Sequence, residues 1–219
     1  MMRGSEVTAR IEQERVVAVI RTQAPEDLLP LAEAIEAGGI GILEFTLTSP
    51  KALQALEQLT DAASGRLLVG VGTVLDTESC RAAILAGASF VVSPTLNLDV
   101  IRLCRRYSVP VIPGAFTPTE VLTAWESGAD LVKVFPAGRL GPGYLRDLHG
   151  PLPQVKLVPT GGVGPENAVE YLLAGAAAVA VGGKLTAPGG PPEGRLARVT
   201  EAAESLVASV RATPSTTPR

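Results

Sequence analysis

The sequence of 219 residues has few aromatic side chains, two cysteines and one histidine. Aromatic residues make up only 4% of the chain, so Ala, Val, Leu and Ile must supply the core. Cys80 and Cys104 form no CxxC pair, and we expect them to be free thiols in a reducing compartment. Because His149 stands alone, without HxH or HExxH spacing, zinc-dependent chemistry is disfavoured. We expect no metal and no cofactor.

Strong charge and long apolar runs are also missing. A net charge of −3 and a pI near 5.3 give no reason to propose nucleic acid or an anionic membrane as partner. The segment 1–13 carries charges and lacks the apolar core of a signal peptide, and no apolar run is long enough to span a bilayer. Walker loops and serine nucleophile elbows are absent. We therefore expect a soluble, cytoplasmic protein with a single domain.

What the sequence does contain is an alternation of short apolar runs with helical segments. A polar helix over 5–14 is followed by Val16–Ile20, a continuous apolar run typical of a strand buried on both faces. The predicted strands are 16–20, 42–46, 67–71, 90–94, 109–113, 129–136, 155–159 and 177–181. This pattern predicts an α/β fold, a single-domain (β/α)8 TIM barrel over residues 1–211 with an N-terminal helix. The Pro-, Ser- and Thr-rich tail 212–219 is predicted to be disordered.

A short sequence motif that recurs at the ends of the predicted helices supports the barrel. It occurs at intervals of about 40 to 50 residues, as Ala37-Gly38-Gly39, Ala86-Gly87-Ala88, Ser127-Gly128-Ala129 and Ala174-Gly175-Ala176. Glycine suits the left-handed position that ends a helix. An open doubly wound sheet is the alternative, and it is disfavoured because no GxGxxG turn follows the first strand.

The lysine in the apolar strand 129–136 is the first candidate catalytic residue. An ammonium removed from water without a partner tends to lose its proton. The ordinary alternative is a half-exposed strand with Lys133 on its wet face. In a barrel neither face is wet, and alternation places Lys133 on one face with Leu131 and Phe135, near the mouth where active sites of this fold lie. We interpret Lys133 as an amine nucleophile for a carbonyl.

Two charged residues at other strand ends are candidate partners. Glu44 is the only charge within the second strand, and it is either a general acid/base or a carboxylate that merely neutralises a buried cation. Arg21 ends the first strand, where its guanidinium suits a substrate carboxylate, although a solvated strand end is an equal alternative.

The remaining candidates are small or glycine-rich. Thr73, Ser93-Pro94 and Pro113-Gly114 lie at the ends of the third, fourth and fifth strands and could line a pocket. The loops after strands seven and eight, where barrels often bind phosphate, are Thr160-Gly161-Gly162-Val163 and Val181-Gly182-Gly183-Lys184. Glycine pairs let the backbone approach an anion closely. Lys184 adds a positive charge or is simply a solvated loop residue.

These residues resemble a known family, the 2-keto-3-deoxy-6-phosphogluconate aldolases, which include 4-hydroxy-2-oxoglutarate and 6-phosphogalactonate variants. The resemblance runs from Val16 to Val210. Its motifs are Leu43-Glu44-Phe45-Thr46, Gly70-Val71-Gly72-Thr73-Val74, Val92-Ser93-Pro94, Lys133-Val134-Phe135-Pro136 and Pro159-Thr160-Gly161-Gly162-Val163.

The resemblance implies a trimeric class I aldolase that yields pyruvate. It makes Lys133 the Schiff-base lysine and Glu44 the general acid/base. Thr73 and Phe135 would line the pyruvyl pocket, and the two Gly-Gly loops would hold the phosphate. Other readings remain: a preference for the galactonate epimer or for non-phosphorylated 2-keto-3-deoxy acids, or a phosphosugar-binding barrel without catalysis.

The chain departs from the family pattern at two positions. Many members carry an arginine where this chain has Thr48; others place one at the end of strand one, which Arg21 matches. Several relatives have serine at the position of Lys184.

Overall fold

The structure is a computed structural model that describes residues 3–63 and 65–214. Its strands are β1 (Val16–Ile20), β2 (Ile42–Thr46), β3 (Leu68–Gly72), β4 (Val91–Val92), β5 (Val111–Ile112), β6 (Gly114–Ala115), β7 (Val132–Val134), β8 (Leu157–Pro159) and β9 (Val179–Val181). All strand pairs are parallel. One sheet has the order β5-β4-β3-β2-β1-β9 and the other the order β6-β7-β8. The predicted α/β class with parallel strands is therefore confirmed.

Helices connect the strands. They are α1 (Gly4–Glu14), α2 (Leu28–Ala37), α3 (Ala52–Ala63), α4 (Thr77–Leu85), α5 (Leu98–Arg106), α6 (Pro118–Glu126), α7 (Gly141–His149), α8 (Ala168–Leu173), α9 (Gly183–Thr186) and α10 (Arg195–Ala212). Single 3-10 turns lie at Pro25–Asp27 and Ala137–Arg139. The predicted N-terminal helix is confirmed as α1. None of the helices in the described part of the chain combines the length and apolar character needed to cross a membrane.

The sheet is divided at two places, where the sequence predicted one continuous ring of eight strands. The predicted strand 109–113 becomes β5 and β6, with Pro113 between them. Proline has no N–H for a ladder hydrogen bond, although its carbonyl accepts a hydrogen bond from Lys133 N at 2.9 Å. On the other side, β8 meets β9 through an isolated bridge between Thr160 and Ala180.

Side chains alternate between two buried layers, as strand geometry requires. Outward residues such as Val16, Ala18 and Ile20 pack with the helices. Inward residues of both sheets meet α1 in a second cluster, the interior cluster. Its members are Val7, Ile11, Val17, Ile42, Leu68, Phe90, Val92, Ile112, Leu131, Val158, Ala177, Ala178 and Ala180. Residues of both sheets thus share one buried apolar cluster, to which α1 contributes Val7 and Ile11.

Polar caps fix the start of several helices just beyond the strands. The Asp76 carboxylate accepts from Ser79 N at 2.6 Å at the start of α4. Thr117 and Glu120 form a capping box at the start of α6. Hydrogen bonds from the backbone N–H groups of Phe116 and Thr117 lower the pKa of Glu120. These caps hold the connections that lie beside the carboxyl ends of the strands.

Two helical segments differ from the prediction. Residues 138–150 contain α7 over Gly141–His149, which is longer than the predicted piece 144–148 because Pro142 is compatible with the first turn of a helix. The loop after β9 turns into the short helix α9 at Gly183.

The chain end and the cysteines complete the fold. Arg15 donates to the carbonyls of Thr213 and Pro214, so residues 212–214 of the predicted tail are tied to the start of β1, and 215–219 lie outside the described residues. Cys80 and Cys104 are buried free thiols, with Sγ atoms 3.4 Å apart between α4 and α5.

Candidate active site

Lys133 lies in the middle of β7, and only 5% of its surface is exposed. It is two residues from Leu131 of the interior cluster and therefore lies on the inward face. Its register partners are Gly114 of β6 and Val158 of β8. The Nζ atom lies 5.2 Å from the centre of the Phe135 ring, a cation–π distance. The wet-face alternative for Lys133 is thereby excluded.

Glu44 occupies the corresponding inward position of β2, two residues after Ile42, and is 1% exposed. Its register partners are Val19 and Gly70. Gly72 provides room for the carboxylate, because a Cβ at this position would lie 1.9 Å from Glu44 Oε1. Among the residues that the structure describes, neither Glu44 nor Lys133 forms an ion pair within 4.0 Å. A carboxylate that only neutralises the lysine is not what the structure shows.

Two glycines shape the interior beside these side chains. A Cβ on Gly70 would lie 2.4 Å from Cζ of Phe90, so the Phe90 ring fills the space under β3. A Cβ on Gly114 would lie 2.3 Å from the carbonyl carbon of Pro94. Pro94 is half-buried and can approach the lysine strand only because β6 has no side chain there. The predicted pocket residue Pro94 thus lies next to the register partner of Lys133.

Thr73 follows β3 directly in a left-handed conformation with φ of 61°. A positive φ is rare for a β-branched residue and costs on the order of 1–3 kcal/mol. Thr73 is half-buried, one residue after the glycine that contacts the Glu44 carboxylate. Strain of this kind is often retained at functional positions.

We expect Thr73→Gly to raise the free energy of unfolding by about 1 kcal/mol, because glycine adopts positive φ without steric cost. Thr73→Ala is the matched control, because it removes the hydroxyl but keeps the strained backbone. Urea unfolding of both variants measures the effect. A Thr73→Gly protein that is less stable than the Thr73→Ala protein would contradict backbone strain at residue 73.

The loop after β8 is built around two left-handed glycines. Gly161 and Gly162 have φ of 81° and 80°. A Cβ on Gly161 would lie 2.9 Å from Phe135 Cε2, and one on Gly162 would lie 2.8 Å from Gly138 Cα. Glycine is therefore required here by both backbone conformation and close packing. Thr160 precedes the pair and is buried at the bridge to Ala180.

Asn167 holds this loop from the start of α8, and the sequence analysis missed it. Its Nδ2 donates to Gly162 O at 3.0 Å, and its Oδ1 accepts from Gly164 N at 2.9 Å. An asparagine just before a helix is a common cap, which gave no hint of a role in the site.

The loop after β9 differs from its counterpart. Gly182 and Gly183 have no left-handed φ, and Gly183 is the first residue of α9. Space around Gly183 is open. Lys184 follows, and its Nζ forms an ion pair with the Glu166 carboxylate of the loop after β8. Lys184 is therefore a half-exposed, ion-paired lysine, and its contribution of positive charge to a phosphate site stays a prediction.

Arg21 and Thr48 lie at the ends of β1 and β2. Arg21 is exposed directly after β1. Thr48 is exposed, and its hydroxyl lies 3.2 Å from that of Thr46, which is buried on the same face as Glu44. Thr46 is a second polar group that the sequence analysis did not single out. Arg21 is therefore the cation available at the end of β1, and its carboxylate role stays a prediction.

Taken together, the strand ends bring the predicted residues to one edge of the two sheets. Lys133 and Glu44 share the interior, Thr73 and Pro94 follow β3 and β4, and the glycine loops follow β8 and β9. Within residues 3–63 and 65–214, no group of three or more His, Cys, Asp or Glu side chains is placed to hold a metal ion.

Comparisons with known proteins show which family the chain resembles. The family model described as "KDPG and KHG aldolase" matches residues 7–201. A 2-dehydro-3-deoxy-phosphogluconate aldolase of Pseudomonas aeruginosa is 38% identical over 170 residues, covering 75% of this chain and 77% of its own. A 2-dehydro-3-deoxy-6-phosphogalactonate aldolase of Escherichia coli is 34% identical, covering 78% and 83%.

A solved structure adds a chemical observation. It is a KDPG aldolase from Legionella pneumophila with pyruvate captured at low pH as a covalent carbinolamine intermediate. It superposes with a TM-score of 0.82 at 34% identity and covers 91% of this chain and 97% of its own. The match to the family model and the sequence identities to these relatives together show that the chain belongs to the KDPG and KHG aldolases.

Proposed function

We propose that this aldolase cleaves 2-keto-3-deoxy-6-phosphogluconate into pyruvate and glyceraldehyde 3-phosphate through a Schiff base on Lys133. The enzyme is a class I lyase, and Schiff-base chemistry needs no cofactor. The observation that carries the proposal is a lysine and a glutamate, both buried on inward faces and not paired with each other. A KHG/KDPG aldolase of Escherichia coli is 34% identical over 194 residues, and we extend the proposal to 4-hydroxy-2-oxoglutarate, which yields pyruvate and glyoxylate.

Lys133 performs the covalent step. Its amine attacks the C2 ketone of the substrate to form a carbinolamine, which loses water to give an iminium. Lys133 is buried on the inward face, with its Nζ atom 5.2 Å from the centre of the Phe135 ring, where a substrate carbonyl in the interior can reach the amine. The iminium then serves as the electron sink for bond cleavage.

Glu44 moves the protons. Its carboxylate removes the proton of the C4 hydroxyl, through a water, and the C3–C4 bond breaks to release the aldehyde. The electron pair of that bond enters the iminium and forms an enamine. Glu44 then helps to protonate the enamine at C3, and hydrolysis frees pyruvate and Lys133. Because Glu44 forms no ion pair with any residue that the structure describes, its carboxylate is available for both transfers.

The pocket residues complete the proposal. Thr73, Pro94 and Phe135 line the pyruvyl end, and Arg21 holds the substrate carboxylate at the end of β1. Thr160, Gly161 and Gly162 bind the phosphate together with Gly182, Gly183 and Lys184. Backbone N–H groups in glycine-rich turns are suited to this role.

We expect Gly162→Ala to raise KM for the phosphorylated substrate by about tenfold or more. The new Cβ would lie 2.8 Å from Gly138 Cα at a φ of 80°, so the loop must move. Steady-state kinetics with phosphorylated and plain substrates measure the effect. Gly143→Ala is the matched control, because its nearest neighbour is Arg146 Nη2 at 3.8 Å. An equal loss with both substrates would contradict a phosphate role.

A second candidate function is a preference for the galactonate epimer. It is supported by the 34% identity to the 2-dehydro-3-deoxy-6-phosphogalactonate aldolase of Escherichia coli. A third is preference for non-phosphorylated acids. Steady-state kinetics with the gluconate, galactonate and plain 2-keto-3-deoxy acids discriminate among them. The proposal predicts the highest kcat/KM for the phosphorylated gluconate derivative. A binding protein without catalysis would instead show thermal stabilisation by ligand, no turnover and no borohydride adduct.

The two sheets, we further propose, form one (β/α)8 barrel, a single domain over residues 1–211, that works as a homotrimer in the cytoplasm. The shared interior cluster and the Thr160–Ala180 bridge support the barrel. The buried free thiols Cys80 and Cys104 support a reducing compartment. Sedimentation equilibrium tests the trimer, and a monomer at working concentration would contradict it.

A further inference from the structure

The ion pair between Lys184 and Glu166 joins the two loops proposed to bind phosphate. Glu166 belongs to the loop after β8, and Lys184 is the second residue of α9 after β9. Both side chains pass over Gly164, where a Cβ would lie 2.4 Å from Glu166 Oε2 and 2.5 Å from Lys184 Cδ. A glycine at 164 is therefore what lets the pair form.

The neighbours of this pair are the glycine loops themselves. Glu166 precedes Asn167, whose side chain holds Gly162 O and Gly164 N. Lys184 follows Gly182 and Gly183 directly. Within the segments 160–167 and 182–187, Lys184 is the one cationic residue and Glu166 the one anionic residue. The two loops thus have a formal charge of zero.

The pair is also accessible to a ligand. Lys184 is 50% exposed and Glu166 is 54% exposed. Exposed ion pairs contribute little to stability because water and salt screen them. A phosphate dianion offers the ammonium a stronger charge-assisted partner than one carboxylate does. The carboxylate therefore competes with the substrate phosphate for Lys184.

We infer that Glu166 is a specificity-determining residue, which occupies Lys184 and so reduces the preference of the enzyme for phosphorylated over plain 2-keto-3-deoxy acids. The inference rests on the proposed function, since it concerns the phosphate end of that substrate. The non-phosphorylated substrate has no phosphate to compete for Lys184 and leaves the ion pair between Lys184 and Glu166 intact. Glu166 does not touch the reacting carbons, so its effect lies in KM.

Kinetics of Glu166→Gln with both substrates test this directly. We expect the ratio of kcat/KM for 2-keto-3-deoxy-6-phosphogluconate to that for 2-keto-3-deoxygluconate to rise about five- to tenfold, through a lower KM. The rise should shrink as ionic strength increases. Lys184→Met should lower the same ratio. Glu170→Gln, on the exposed side of α8, removes an equal charge outside the loops and should leave the ratio unchanged.

The outcomes separate a wrong inference from a wrong function. An unchanged or lower ratio in Glu166→Gln, or an equal change with both substrates, overturns the role of Glu166 while turnover by the unmodified enzyme still supports the aldolase. A rise in Glu170→Gln equal to that in Glu166→Gln also overturns it, because the effect is then one of net charge. Absence of turnover and of a pyruvate–borohydride adduct in the unmodified enzyme instead overturns the proposed function.

Discussion

Lys133→Met is expected to reduce kcat/KM for aldol cleavage by at least about 10⁴-fold, because Lys133 is the one buried lysine among the described residues and carries the iminium in the proposed mechanism. Methionine matches the length of the lysine stem without its charge. Lys133 is 5% exposed and forms no ion pair within the described part of the chain, so no counter-charge holds its amino group. The free energy of unfolding should therefore stay constant or rise by about 1–2 kcal/mol. A coupled assay for pyruvate and urea unfolding measure both quantities.

Lys156→Met is the control for this experiment. Lys156 pairs with Glu12 at 2.6 Å, and its side chain is 36% exposed. Its loss should leave cleavage unaffected. Full cleavage by the Lys133→Met protein, or a marked loss of stability without loss of activity, would mean that Lys133 has a structural role.

Glu44→Gln should lower kcat by about 10²- to 10⁴-fold, the range typical of a lost general acid/base. Borohydride trapping with pyruvate should still modify Lys133, because the amine and its attack on C2 remain. The variant therefore separates proton transfer from Schiff-base formation. Steady-state kinetics measure cleavage, and mass spectrometry detects the adduct on Lys133.

Gly72→Ala tests the same carboxylate without changing it. The added Cβ would lie 1.9 Å from Glu44 Oε1, so the carboxylate has to move. We expect a fall in kcat similar in direction to that of Glu44→Gln. Gly189→Ala, which has open space around it, is the matched control.

Unimpaired cleavage by the Glu44→Gln protein would show that Glu44 takes no part in the mechanism.

The fold was predictable where local pattern decides it. A continuous apolar run located β1 with its observed bounds, Val16–Ile20, and a mostly apolar run located β2 with its observed bounds, Ile42–Thr46. The alternation of side chains along a strand placed Lys133 on the face away from Val132 and Val134, which pack with the helices. The division at Pro113 was not predicted, because strand pairing depends on which neighbour supplies the hydrogen bonds, and that is a property of the assembled sheet.

The site was predictable as a set of strand-end residues but not as a set of contacts. Lys133 and Glu44 were visible as charges inside apolar strands. The space that Gly72 gives to Glu44, the hydrogen bonds of Asn167 to its loop and the pairing of Glu166 with Lys184 join residues from different segments. Such non-local contacts leave no periodic signal in one sequence. They determine how the candidate residues are held.

Borohydride reduction in the presence of pyruvate, followed by peptide mapping, tests the central claim most directly. The account predicts one pyruvyl adduct per chain, on the peptide that contains Lys133, and none on the peptides of Lys51, Lys156 or Lys184. An adduct on one of those three lysines, or no adduct while the enzyme cleaves its substrate, would contradict it.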